Sequence, residues 1–321
     1  MMKTIGVLTS GGDAPGMNAA VRSVVRTAVS LGMTVKGIRR GYNGLIEGDF
    51  VDLDARSVSD IIQRGGTFLY TARSPRFKTE EGLAEAIASC KKAGIEGIVV
   101  IGGDGSYRGA RDLSERGIPC VGIPGTIDND ISSTDYTIGF DTAMNTAMEM
   151  VDKIRDTSQS HDRCSVVEVM GRHAGYLALQ TGIAVGATAV LVPEIETDLS
   201  AIIKKIKQTN NTGKKHFIII VAEGVKISAQ DIAKQIQAAT DIDCRATVLG
   251  HVQRGGNPTV RDRVIATEMG YNAVHLLSKG IGNRVICYRK GDIIDMDIFE
   301  ALSMTKTLDR KMFEIASVTS I

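Results

Sequence analysis

The chain has 321 residues, 43% of them hydrophobic and 23% charged, and its net charge is +1 at pH 7. That length is long for one core and comfortable for two domains. A near-neutral balance supplies no bulk field for nucleic acid or an anionic membrane, so neither is expected as a partner and basic residues must act locally.

Strand patterns alternate with helix patterns along the whole chain. Residues 3–8 read as a strand that leads into Ser10-Gly11-Gly12-Asp13-Ala14-Pro15-Gly16, and a helix follows over 17–31. Next come a strand at 34–38, a glycine-rich loop at 41–48 and a short helix at 57–63. A polar loop around Tyr70 to Arg76 precedes a helix at 79–93. Apolar runs at 98–101 and 119–123 each end in a loop of glycine and aspartate. A long helix at 141–157 is followed by a strand at 165–169, which ends in Met170-Gly171-Arg172. Strands at 189–192, 217–221 and 247–249 alternate with helices at 199–208 and 232–239. A helix at 260–277 and a strand at 284–287 complete the pattern.

This alternation implies α/β architecture, with a mostly parallel sheet covered on both faces. The strands outnumber those of one ordinary open sheet, so two doubly wound domains are expected. No low-complexity linker separates them, so the chain is expected to cross between domains more than once, with a break near Asp135 to Gly139. No apolar run approaches the roughly 18 residues of a membrane span. The N-terminal MMKTIGVLTS has too short an apolar core for a signal peptide. The five cysteines are scattered, with no CxxC pair, and read as reduced, buried thiols of a cytoplasmic protein. The absence of Trp argues against a base-stacking surface.

Three loops carry the chemistry. Ser10 to Gly16 lies between a strand and a helix N-terminus, where backbone N–H groups and the helix dipole suit a phosphate; a plain turn with Pro15 entering the helix accounts for it equally well. No GxxxxGK[ST] occurs, which excludes the ordinary P-loop enzymes. Gly102-Gly103-Asp104-Gly105-Ser106 sets one carboxylate among glycines. Glycines let a phosphate approach the backbone, whereas a bare carboxylate repels it. The pairing is coherent if Asp104 acts through Mg²⁺, directly or through metal-bound water.

Gly103-x-Gly105 is also half of a dinucleotide fingerprint. That motif needs Gly at 108, where this chain has Arg, and an acid about 20 residues on. The third loop, Pro124-Gly125-Thr126-Ile127-Asp128-Asn129-Asp130, offers two carboxylates. One could take a proton from a substrate hydroxyl; a solvated capping turn is the other reading. Adjacent parallel strands end in one crevice, so the two acidic loops are expected to face one site. Arg73, Arg163, Arg172, Arg245 and Arg254 fall in loops or beyond strand ends, with His251 just before Arg254. Arginine forms bidentate bonds with phosphate oxygens, so this set points to more than one phosphorylated ligand. Most of the other histidines read as structural.

Taken together, LTSGGDAPGMNAA, GGDGSY, PGTIDND, VMGRHAG, AEG and LGHVQRGG resemble the bacterial ATP-dependent 6-phosphofructokinase family over essentially the whole chain. GGDG alone is weak, since NAD kinases and lipid kinases share it; the later motifs separate them. The resemblance implies an ATP and Mg²⁺ domain of 1–138 plus 251–301, and a fructose 6-phosphate domain of 139–250 plus 302–321. It implies a cytoplasmic, allosteric homotetramer that transfers the ATP γ-phosphoryl group to the sugar's 1-hydroxyl. Gly12, Arg73, Ser74, Gly103, Asp104, Gly105 and Ser106 match the family's ATP contacts, with Asp104 at the metal. Asp128 matches the base, with Thr126, Ile127 and Asp130 beside it, and Arg172 matches a group near the transferred phosphoryl. Met170, Gly171, Arg172, Glu223, His251, Val252, Gln253 and Arg254 match the sugar-phosphate site. Arg163 and Arg245 match residues that reach in from a neighbouring subunit.

The family's pyrophosphate-using branch resembles GGDD and PKTIDND. Gly105 and Gly125 stand at the differing positions here, and they favour ATP. A silent, nucleotide-sensing relative would lack Asp104, Asp128 or Arg172, and all three are present. Arg22, Arg26, Arg155, Gly186, Ala187, Thr188, Lys214, Lys215 and His216 match an intersubunit site for ADP or phosphoenolpyruvate. Thr188 there replaces a usual acid and Ala55 a base found in some members. Tyr176 stands where many members carry Asp.

Overall fold

The structure is a computed structural model that describes residues 2–320, and the chain divides into two units. Unit 1 comprises Met1–Ile127, Ile131–Thr142 and Arg254–Lys306; unit 2 comprises Asp128–Asp130, Ala143–Gln253 and Thr307–Ile321. Boundaries drawn from the resemblance fall a few residues earlier. Four segments differ: residues 139–142 and 302–306 group with unit 1, and Asp128–Asp130 and residues 251–253 with unit 2. For the latter the reason is visible, since the buried Gln253 accepts a bond from the Met170 N–H through Oε1 at 3.3 Å.

The chain opens with β1 (Thr4–Ser10), α1 (Met17–Ser30), β2 (Thr34–Ile38), α2 (Tyr42–Glu47) and β3 (Phe50–Leu53). It continues with α3 (Glu80–Lys92), β4 (Gly97–Gly102), α4 (Asp104–Glu115) and β5 (Cys120–Pro124). α5 (Phe140–Ser160) leads into β6 (Cys164–Val169), α6 (Tyr176–Ala184), β7 (Ala189–Leu191) and α7 (Leu199–Asn211). β8 (Phe217–Ala222), α8 (Ala229–Thr240) and β9 (Cys244–Val248) complete the second sheet. α9 (Val260–Ser278), β10 (Arg284–Arg289), β11 (Asp292–Asp297) and α10 (Ile298–Ser303) return to unit 1, and α11 (Arg310–Val318) ends in unit 2.

Among the described residues, unit 1 has one seven-stranded sheet in the order β11-β10-β5-β4-β1-β2-β3. Every residue of β4 and β5 is buried, as both faces of a central parallel strand must be. β3 and β11 run antiparallel at the two edges. Winding proceeds outward from β1 in both directions, so β1 and β4 flank the topological switch point where such sheets bind ligands. Unit 2 has a parallel sheet in the order β7-β8-β6-β9. One of its faces buries Val166, Ile219 and Val221 against Ile232 and Ile236 of α8. All five cysteines are buried free thiols: Cys90, Cys120 and Cys287 in unit 1, Cys164 and Cys244 in unit 2. Among the described residues no helix is long and apolar enough to cross a membrane.

Four local expectations fail. The glycine-rich stretch 41–48 contains α2, and Gly44 is required there because a Cβ would sit 1.7 Å from the Arg39 carbonyl oxygen. Residues 57–63 form turns rather than a helix. Asp54 Oδ1 captures the N–H groups of Arg56 and Ser57 at 2.9 and 2.7 Å, and Asp60 is left-handed; a short polar side chain competes with helical hydrogen bonding in this way. β9 begins three residues earlier than the apolar pattern suggests. β3 and β11 are additional strands.

Candidate active site

Three loops leave the sheet of unit 1 at one level. The register pairs Ser10 with Gly102, and Gly102 with Pro124, so the carboxyl ends of β1, β4 and β5 lie side by side. Gly102 lets them close up, since a Cβ there would meet the Ser10 carbonyl oxygen at 2.4 Å. The loops carrying Gly12, Asp104 and Thr126 are therefore neighbours.

α4 starts at Asp104 with no side-chain cap from Gly103. The Asp104 and Gly105 N–H groups at its start are thus available to an anion, while the Ser106 N–H already donates to the Gly103 carbonyl at 2.9 Å. A Cβ on Gly105 would meet nothing within 4 Å. Ser106 is buried, with its hydroxyl donating to the Ser10 carbonyl at 3.1 Å. Asp104 is half-exposed, and Arg108 contacts it at 3.0 Å through both Nε and Nη2. Both contacts fall on Oδ2, which leaves Oδ1 to a cation. Among the described residues no group of three or more His, Cys, Asp or Glu is placed to hold a metal. A single carboxylate does fit Mg²⁺, which keeps several waters and takes further ligands from nucleotide phosphates.

Thr126 is fixed by the segment behind it. Its N–H donates to the Ile138 carbonyl at 3.1 Å, and its carbonyl accepts from Thr137 Oγ1 at 2.6 Å. Ile127, Asp128 and Asn129 are buried, and Asn129 adopts a left-handed backbone with φ 50°. Arg254 reaches the first glycine loop: its Nη1 donates to the Asp13 carbonyl at 3.0 Å, and a Cβ on Gly12 would lie 2.7 Å from the same atom. Arg73 is exposed, and Ser74 Oγ accepts from the Phe77 N–H at 3.3 Å.

In unit 2, Val169 pairs with Ala222 and Glu168 with Val248. Met170-Gly171-Arg172, Glu223 and the 251–253 turn therefore leave the same end of the sheet. Arg172 is left-handed, with φ 55°, and Glu223 Oε1 accepts its N–H at 2.7 Å. A non-glycine residue held there marks a functional or strained position. His251 and Val252 are exposed. Gln253 instead supports the site from beneath, fully buried between Met170 and the Gly250 carbonyl. The Tyr176 hydroxyl, at the start of α6, is pushed up to about 12 by burial, with Glu194 and Asp130 adding to the effect.

Arg163 and Arg245 do not join these groups. Arg163 immediately precedes β6, and Arg245 pairs with Ser165 at the amino end of that strand. At about 3.3 Å per residue they lie roughly 17–23 Å from the Met170 end of the same sheet. Both hold Asp243, Arg163 at 2.6 Å and Arg245 at 3.1 Å.

The residues matched to an effector site also divide. Arg22 and Arg26 are neighbours on α1 of unit 1, and burial followed by Arg26 lowers the Arg22 pKa. Arg155, Lys214 and His216 gather in unit 2, where burial and then the Arg155 charge lower both Lys214 and His216. Lys215 turns to Asn210 Oδ1 at 3.2 Å. The side chains of Ala187 and Thr188 are buried, so they do not present themselves to an anion as the match implies; Gly186 is the open member of that triplet.

Three positioning residues escaped the sequence reading. Asn18 Oδ1 accepts from the Phe68 N–H at 2.6 Å while its Nδ2 donates to the Arg64 carbonyl at 3.1 Å. Asp262 is fully buried and receives Tyr136 Oη at 2.5 Å, the Gly139 N–H at 2.7 Å and the Thr142 N–H at 2.9 Å. Asp243 is the third. Asn18 stands inside a motif already noted; nothing local in sequence marks the other two.

A doubly wound parallel sheet whose switch point carries two glycine loops and a half-exposed carboxylate defines an α/β enzyme that handles phosphorylated ligands. Residues 4–277 match the phosphofructokinase family. The chain is 56% identical over 320 residues to the ATP-dependent 6-phosphofructokinase of Bacillus thuringiensis (strain Al Hakam), covering 100% of both chains, and likewise to that of Bacillus cereus (strain B4264). The solved phosphofructokinase from Saccharomyces cerevisiae matches with a TM-score of 0.89 and 36% identity, over 99% of this chain and 48% of that one. A pyrophosphate-dependent phosphofructokinase from Marinobacter aquaeolei shares the fold, with a TM-score of 0.86 and 21% identity over 98% of this chain and 91% of its own. The chain belongs to the phosphofructokinase family.

Proposed function

We propose that the chain transfers the γ-phosphoryl group of ATP to the 1-hydroxyl of fructose 6-phosphate, giving fructose 1,6-bisphosphate and ADP, the reaction of a glycolytic kinase. The observation that carries this reading is 56% identity over the full length to relatives bearing that activity in their names. Gly105 supports ATP as donor, because the space over the α4 N-terminus is open where an Asp side chain would put negative charge.

In this reading the Gly12 loop, Arg73, Ser74 and Gly103 to Ser106 bind the nucleotide, and Asp104 would hold Mg²⁺. The ion, when bound with ATP, offsets charge on its phosphates. Asp128 accepts the proton of the 1-hydroxyl as the oxygen attacks, with Thr126 and Asp130 shaping its loop. Arg172 meets the charge that spreads over the transferred oxygens, its backbone already fixed by Glu223. Met170, Gly171, Glu223, His251, Val252 and Arg254 hold the sugar phosphate. Arg163 and Arg245, at the far end of their own sheet, would complete the site of a neighbouring copy, which supports a homotetramer with shared sites. Arg155, Lys214, His216 and Gly186 would supply one side of an intersubunit site for ADP or phosphoenolpyruvate, and Arg22 and Arg26 of a neighbouring copy the other. A cytoplasmic location follows from the glycolytic role.

The test is phosphoryl transfer to fructose 6-phosphate with ATP against pyrophosphate, repeated with ADP and phosphoenolpyruvate. Turnover with pyrophosphate alone would reject the donor assignment. Absence of turnover with both would favour a silent nucleotide-binding subunit.

A further inference from the structure

Two guanidinium groups standing side by side repel unless something holds them. Arg163 immediately precedes β6 and Arg245 lies in the neighbouring β9, and one carboxylate bridges them. Arg163 donates through Nε to Asp243 Oδ2 at 2.6 Å. Arg245 donates through Nε to Oδ1 at 3.1 Å and through Nη2 to Oδ2 at 3.4 Å. The backbones beneath are fixed as well: the Cys164 N–H donates to the Asp243 carbonyl at 3.0 Å, and the Phe217 N–H to the Arg163 carbonyl at 3.0 Å. The two arginines draw the Asp243 carboxyl below the usual carboxylate range, so it is ionised throughout the neutral region.

Which nitrogens are used matters. Arg163 engages Asp243 by Nε alone, so the edge formed by its two terminal NH₂ groups is not spent on that carboxylate. That edge is the fork that grips a phosphate with two parallel bonds. Arg245 uses its Nε side and keeps Nη1. The cluster carries one net positive charge, with its donors pre-aimed.

We propose that Asp243 is a positioning residue for the sugar phosphate: it aligns Arg163 and Arg245 as one two-armed phosphate clamp. This rests on the reading of those arginines as contacts to the 6-phosphate. Asp243 touches no substrate. It acts by cutting the rotamer freedom that two long side chains would otherwise lose on binding.

The competing outcome is concrete. If the carboxylate only neutralised the arginines, its removal would raise the local charge and tighten phosphate binding. Steady-state kinetics of Asp243→Asn, Asp243→Glu, Arg163→Ala and Arg245→Ala separate the cases. The expected result is that Asp243→Asn raises KM for fructose 6-phosphate about tenfold, with kcat and the KM for ATP within about twofold. Asp243→Glu should recover most of the difference, because a carboxylate returns; a general packing defect would not be rescued in this way. Asp243 is two-fifths exposed, so its substitution leaves the core intact. If both arginine variants raise KM but Asp243→Asn leaves it unchanged or lowers it, the positioning role is wrong while the phosphate site stands. If neither arginine variant moves the sugar KM, the phosphate assignment falls and the clamp with it.

Discussion

Asp128 illustrates what a single position must do in the proposed reaction. It is buried at 3% exposure, two residues after Thr126, whose N–H and carbonyl are held by Ile138 and Thr137. A base held in this way need not be strong, because placement does much of the work. Asp128→Ala should lower kcat by about 10² or more while the KM for fructose 6-phosphate changes little; an unchanged kcat in a steady-state assay would remove it from that role. His216 gives a second expectation. Burial and the Arg155 and Lys214 charges depress its pKa, so it is neutral at pH 7. A bound anion favours the charged form, so the complex has the higher pKa. Anion affinity at that site should therefore rise as pH falls through and below about 6.5. Isothermal titration with phosphoenolpyruvate or ADP at several pH values checks this, and the rise owed to His216, beyond the ligand phosphate's own titration, should be lost in His216→Gln.

At the scale of elements, the three glycine–aspartate loops at the carboxyl ends of β1, β4 and β5 were legible because each interrupts an apolar run, a pattern with few structural purposes. The elements that escaped did so for physical reasons. α2 hides behind Gly41, Gly44 and Gly48, although Gly44 is there to let the Arg39 carbonyl pass beneath the helix. Residues 57–63 carry Val58, Ile61 and Ile62 at helical spacing, yet Asp54 captures the chain first. β11 alternates acids with apolar residues and reads as surface coil until β10 pairs with it. Asp262 was invisible because its partners lie more than 100 positions away. It anchors Tyr136, Gly139 and Thr142, and between them the Thr137 hydroxyl and the Ile138 carbonyl in turn anchor Thr126. Asp262→Ala would leave several buried donors unmet. We expect a loss of about 3–5 kcal/mol, read as a lower midpoint in urea denaturation.

At the scale of the whole molecule, the unit 2 sheet sets the arrangement. Its carboxyl end presents Arg172, Glu223 and His251, while Arg163 and Arg245 stand at its amino end. A site that needs both sets must draw them from two copies of the chain. Mixed assemblies of two inactive variants therefore offer a direct check. Asp128→Ala and Arg245→Ala homo-oligomers should each be weak, but co-refolded together they should regain activity, since some sites then receive an intact half from each copy. No recovery on mixing would place all the groups within one chain. The distribution of sulfur has a consequence of its own. With every cysteine buried, three in one unit and two in the other, a thiol-alkylating reagent can react only when a unit opens. Mass-resolved alkylation would thus time the opening of each unit separately, using reporters the chain already contains.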